Sequence, residues 1–221
     1  MLDVLEDYIL YMKEEKGISN TVTLNSYLQN ISPLIKYGVK KRYILEKFAI
    51  PFIKGQETFK EIYTDDEIKV LLEIPNMKDF VTTRTHTIIW VLASTGLRAR
   101  ELRELRIKNV DMINRAITAN ETKNKKPRRV PISLSLYDVL FNYMEIRGGD
   151  LEDYLFPTIY NEILAMSTLQ DSVKTYCNKR GVYKTSIHLF RHTFITNAVN
   201  QNVSPLILQR ITGHSTMKQL L

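Results

Sequence analysis

Three short segments of this chain carry residue types and spacings that bear on whether it could hold an anion. Thr95-Gly-Leu-Arg-Ala-Arg-Glu-Leu102 puts Arg98 where one helix should end at Gly96 and another begin. Backbone amides point outward at such a corner and favour an anion. Glu101 is spaced to hold the Arg98 guanidinium, although a plain helical joint with surface arginines fits the same letters. His188-Leu-Phe-Arg-His192 sets His188, Arg191 and His192 at i, i+3 and i+4, on one helical face, with Leu189, Phe190 and Phe194 opposite. A zinc site would want an acid beside its histidines; an arginine stands there instead, repelling a cation and suiting an anion. A purely structural His-Arg face is the alternative. Gly213-His214 follows a proline-started helix and by itself is only a helix end with a histidine near the dipole.

A fourth segment, Thr122-Lys-Asn-Lys-Lys-Pro-Arg-Arg129, has five cationic residues out of eight; such crowding is self-repulsive without a polyanion nearby, and a solvated turn fits the same letters equally well. Lys125, Lys126, Arg128 and Arg129 are the expected DNA contacts, and a mobile lysine here could reach a groove or a phosphoryl leaving group.

The elements that must position these residues can be read from periodicity. Leu2, Leu5, Tyr8, Ile9 and Met12 recur at helical steps up to Gly17, and Ser19 or Asn20 can cap a second helix through Leu24, Tyr27, Ile31, Leu34 and Ile35. A linker is expected at Pro51 to Glu57, dividing residues 1–57 from 58–221. Thr64-Asp-Asp-Glu67 is a capping box that opens a new helix. A core helix follows from about Asp79 to Ser94. From Ala116 to Ser133 the period moves to two, predicting a β-hairpin with NKKP as its turn. Three further helices are predicted: Ser167 to Arg180, opened by a second capping box; about Ile187 to Asn200; and Pro205 to Thr212, with Ser204 as cap. The fold class is therefore mainly α with one small antiparallel β-sheet (α+β).

Composition narrows the function classes. The 221 residues carry a net charge of +7, which suits a polyanion partner. Cys177 is the single cysteine, which excludes a disulfide framework and a Cys-based zinc site; a packed small hydrophobe is expected. No apolar run approaches the roughly 18 residues of a membrane helix. Acids in MLDVLEDYILYMKEEKG oppose a signal peptide, so a mature, cytoplasmic start is expected. With no P-loop and no acidic metal cluster, neither nucleotide nor metal nor other cofactor is implied.

Taken in order, TGLRARE, a lysine in a basic hairpin ending in VPI, HLFRH and GH resemble the tyrosine recombinases and phage-type integrases over roughly Tyr63 to Leu221. The residues before them look like a short version of the family's N-terminal core-binding domain. The resemblance implies a catalytic domain in which Arg98 and Arg191 clamp the scissile phosphate and Lys123 protonates the departing 5′ oxygen. It gives His188 and His214 the roles of phosphate-holding histidines, Glu101 that of buttress to Arg98, and His192 a structural place. It implies a double-stranded DNA partner, a homo-tetramer on DNA, no membrane and no nucleotide. The family's nucleophile is a tyrosine shortly after the GH histidine, just beyond Leu221, and no tyrosine follows Tyr183 here. A chain truncated before that tyrosine, inactive in cleavage on its own, is the expectation. A type IB topoisomerase shares similar catalytic residues, but the TGLRARE and HLFRH wording favours a recombinase. The rival class is a non-catalytic DNA-binding remnant or regulator of recombination sites.

Overall fold

A computed structural model of the chain describes residues 2–45, 49–54, 61–75, 79–120 and 127–214. Two compact units emerge, residues 1–59 and 60–221.

In the first unit α1 (Leu2–Glu14) buries Leu5 and Met12, one helical face of the expected apolar stripe. Asn20 caps α2 (Thr21–Lys40), accepting from the amides of Val22 and Thr23. This helix buries Leu24 and Leu28 and leaves Tyr27 and Leu34 exposed, so its inward face is narrower than the sequence pattern suggested. The Asn25 amide then closes two bonds with the Ile53 backbone, at 2.8 and 2.9 Å.

The second unit is built on α4 (Phe80–Thr95), which packs against α3 (Asp65–Leu72), α6 (Leu134–Arg147), α7 (Met166–Asn178) and α8 (Ile187–Asn200). Thr64 and Glu67 form the expected box at the start of α3. Ile88, Ile89, Val91 and Leu92 on α4 are wholly buried; burying one such side chain contributes about 1.5–3 kcal/mol. Helix α4 also buries Thr83, Thr85, Thr87 and Thr95, and each hydroxyl donates to the carbonyl one turn back, so none is stranded. After α5 (Ala99–Glu104) comes a three-stranded antiparallel sheet of β1 (Val110–Asp111), β2 (Ala116–Asn120) and β3 (Pro127–Pro131). Ile117 pairs with Val130 and Ala119 with Arg128. The chain finishes its described course in α9 (Pro205–Thr212).

Five local features differ from the sequence reading. Pro127 belongs to β3, not to the turn, and β1 is an additional strand. Helix α6, capped by Ser133, is an element the periodicity did not reveal, because Leu134, Phe141 and Ile146 are apolar yet exposed and blur its stripe. Helix α7 starts one residue early, at Met166, which moves Ser167 off the cap position, and Ala165 there has no side chain to bond. Ser204 occupies the cap position of α9 without a side-chain bond, while Pro205 supplies the fixed φ of the first turn.

Candidate active site

Successive carbonyls at the end of α9 each accept from an arginine of a different segment. Arg128 Nε donates to Ile211 O at 2.7 Å, Arg191 Nη2 to Thr212 O at 2.8 Å, and Arg98 Nη2 to Gly213 O at 2.7 Å. The last carbonyls of a helix lack intrahelical partners and carry the negative end of its dipole, so they draw guanidinium groups. Gly213, left-handed at φ 68, turns the chain after this helix, a conformation other residues adopt at a cost.

Arg98 stands directly before α5, as expected, but the corner is not an open nest of amides. Its own amide donates to Glu101 Oε2 at 2.8 Å and its Nη1 to Glu101 Oε1 at 2.9 Å, so the anion already at this corner is the Glu101 carboxylate. The Arg98 side chain stays 39% exposed against 2% for Glu101, which leaves the guanidinium accessible and its buttress dry. Burial raises the Glu101 carboxyl, but hydrogen bonds from Arg128 and the Arg98 amide, the Arg128 charge and the Arg98 side-chain bond outweigh it and hold the group below the usual carboxylate range.

Arg191 is buried on α8, where its Nη1 donates to Gly96 O at 2.6 Å. Its Nη2 also lies 2.9 Å from His214 Nε2, while His214 Nδ1 lies 2.8 Å from Thr212 Oγ1. Desolvation, followed by the charges of Arg191, Arg98, Arg128 and His192, pushes His214 down to about 4. His188 is exposed near the start of α8, and lines with Arg98, Arg100, Asp171 and Lys174 one cavity of about 580 Å³. His192, on the same helix, is half-buried. The structure therefore brings Arg98, Glu101, Arg191 and His214 together, with His188 lining the same cavity as Arg98. Lys123, Lys125 and Lys126 lie outside the described residues.

Arg128 departs from the expectation of an outward, DNA-facing cation. Its fork makes two bonds to Glu101, 2.7 Å to Oε1 and 2.8 Å to Oε2, and its side chain is only 9% exposed. The reason is β-strand alternation: Arg128 shares the inward face of β3 with buried Val130. Arg129 faces solvent and reaches Asp111 at 3.2 Å.

Sequence reasoning missed Thr212 and Gln209. Thr212 is buried and fixes the His214 ring, while Gln209 Nε2 donates to His214 O at 3.0 Å. Their one signal was adjacency to Gly213-His214. Among the described residues no group of His, Cys, Asp and Glu is arranged to hold a metal ion. What remains is a cationic site with hydrogen-bond donors on several sides, suited to a phosphodiester and to the charge that develops on it.

Residues 61–220 match the phage integrase family. Over 97% of its length the chain is 31% identical to tyrosine recombinase XerA of Pyrococcus furiosus, covering 86% of that protein. It is 28% identical to a tyrosine recombinase of Pseudothermotoga lettingae, over 96% of this chain and 73% of the relative. In fold it is similar to the Tn1549 transposon integrase solved with circular-intermediate DNA, at TM-score 0.82 and 21% identity, across 100% of this chain and 79% of that one.

Proposed function

This chain belongs to the phage integrase family, and from that premise we propose that it serves site-specific recombination of double-stranded DNA through a 3′-phosphotyrosine intermediate. The observation that carries the reading is the meeting of Arg98, Arg191 and His214 at the end of α9, from segments as far as 115 residues apart. The guanidinium groups of Arg98 and Arg191 engage non-bridging oxygens of the scissile phosphate and stabilise the pentacoordinate transition state. Lys123 gives its proton to the 5′ oxygen as the bond to phosphorus breaks, work worth about 10²–10⁴-fold in rate. His188 and His214 hold the phosphate, and Glu101 holds Arg98. Because the tyrosyl ester keeps the bond energy, a 5′ hydroxyl can reverse the step with neither metal nor nucleotide. The DNA complexes among the structural neighbours support a DNA partner. We assign residues 60–221 to catalysis, the first unit to clamping the duplex, and a homo-tetramer to the synaptic assembly. The setting is cytoplasmic; among the described residues no helix is long and apolar enough to cross a membrane.

No tyrosine follows Tyr183 in this sequence, and three of those before it are poorly placed to act as the nucleophile. Tyr63, Tyr143 and Tyr176 are buried, donate to carbonyls of Lys184, Leu155 and Leu71, and are pushed above the ordinary phenol range by desolvation. None is suited to attack as a phenolate. The 221-residue polypeptide is expected to bind DNA without breaking it. Incubation with a nicked duplex, followed by denaturing electrophoresis, tests this: binding in a mobility-shift assay with no protein-linked DNA is expected. Covalently linked DNA would overturn the inactivity, and absence of any DNA binding would overturn the assignment. A second reading is a non-catalytic binder that occupies recombination sites. A tyrosine encoded in frame beyond codon 221 decides for the enzyme, and an immediate stop for the binder.

A further inference from the structure

Glu101 has two oxygens and faces two arginines, and the way they share it decides what Arg98 has left to offer. Arg128 takes both oxygens end-on, at 2.7 and 2.8 Å, while the Arg98 guanidinium has a single bond, Nη1 to Oε1 at 2.9 Å. The remaining contact between Arg98 and Glu101 uses the backbone amide, not the side chain. Arg98 Nη2 is thereby free to reach Gly213 O, and Arg98 lines the cavity that His188 also lines. A carboxylate left alone with one guanidinium adopts the parallel two-bond geometry, which is the strongest they can make. Arg128 blocks that geometry at Glu101. It also ties β3, the strand that follows the Lys123 segment, to the end of α9 through Ile211 O at 2.7 Å.

We infer that Arg128 is a positioning residue: by saturating Glu101 it limits the Arg98 side chain to one bond with that carboxylate, so that the guanidinium can be presented to a phosphate. The inference rests on the reading that Arg98 binds a phosphodiester. It also makes the basic run of the hairpin two-sided, with Arg128 organising the phosphate site from beneath.

The test is titration of inorganic phosphate into the 221-residue chain at pH 7, followed through the ring resonances of His214. Arg98→Ala, Arg128→Met, Arg128→Lys and the double variant Arg98→Ala/Arg128→Met are compared with the unaltered chain. Arg128→Met should weaken phosphate roughly tenfold, the scale of one lost charge-assisted contact. It should weaken binding no further when Arg98 is already alanine. Arg128→Lys keeps the charge but lacks the fork, so it should remain several-fold weakened. Tyr143→Phe, which removes the Leu155 hydrogen bond elsewhere in the core, should lose stability with phosphate affinity unchanged. Wild-type affinity in Arg128→Met, full rescue by lysine, or independent multiplication of the Arg98 and Arg128 effects would each overturn the inference while leaving the phosphodiester reading intact. Unaltered affinity in Arg98→Ala would sink that reading and this inference with it. Should Arg128→Met not fold, Arg128→Lys decides alone: weakened binding supports the positioning role and unchanged binding removes it.

Discussion

Arg191 and His214 meet with Nη2 only 2.9 Å from Nε2, and because arginine can only donate, that ring nitrogen must accept. Thr212 gives its own hydroxyl proton to Leu208 O, at 2.7 Å, so it accepts from the other ring nitrogen, 2.8 Å away. The two contacts fix a neutral imidazole protonated on Nδ1. They explain in geometric terms why protonation is disfavoured: a second ring proton would point at a guanidinium.

His214 should make the protein acid-sensitive. Its folded-state value of about 4 lies below the ordinary 6.5, so between those values the unfolded chain binds more protons. Stability contributed by the neutral ring is present at pH 7 and is lost as pH falls from about 6.5 towards 4. Urea midpoints across that range should show the loss, and His214→Gln should flatten it. A phosphodiester oxygen against the ring favours the imidazolium, so a DNA duplex should bind more tightly at pH 5 than at pH 7, with proton uptake. Proton release on binding would contradict the assigned contact.

Arg191→Ala should leave a folded but weaker protein. It strands the Gly96 and Thr212 carbonyls and the His214 acceptor in a buried setting, at about 1–3 kcal/mol per unsatisfied group that water cannot reach. Chemical denaturation measures this. Complete unfolding at 25 °C would show Arg191 to be chiefly structural.

The basic hairpin should be visible in the salt dependence of DNA binding. Each phosphate contact contributes about 0.9 to the slope of log affinity against log salt. Lys125→Ala with Lys126→Ala should therefore lower that slope by roughly two contacts' worth, and Arg129→Ala by a further one. A slope unchanged by the lysine pair removes the hairpin from the DNA interface. Arg128→Ala belongs to another class, since its charge is committed to Glu101.

Gly96→Ala should be costly. Gly96 is left-handed at φ 61, and an added Cβ would lie 2.6 Å from Phe194 Cδ1. The conformation costs about 1–2 kcal/mol for a residue with a Cβ, and the collision about 1–3 more. The same shift displaces the carbonyl that Arg191 grips, so phosphate affinity should fall together with the melting temperature. A fall in stability alone would uncouple Gly96 from the site.

Much of this site was legible in the letters because its chemistry is local. The Thr64 capping box, the Asn20 cap, the Gly96 helix end and the i, i+3, i+4 spacing of His188, Arg191 and His192 all depend on neighbours within one turn, where backbone geometry leaves few alternatives. Even the inward turn of Arg128 had a local sign, since it stands two residues from the core residue Val130 on a strand. That sign was hidden by reading five cations as one patch.

The order of the motifs, the helical spacing and the caps were set by the sequence alone, and they sufficed to indicate the fold class and the family. Tertiary structure alone decided who shares Glu101, and that Arg98 reaches a carbonyl 115 residues away while Arg191 reaches one 95 residues away. Side-chain partners at such separations are chosen by how α4, β3, α8 and α9 pack around a common core. A guanidinium accepts any well-placed oxygen, so its residue type fixes the kind of bond it makes and the packing fixes with whom.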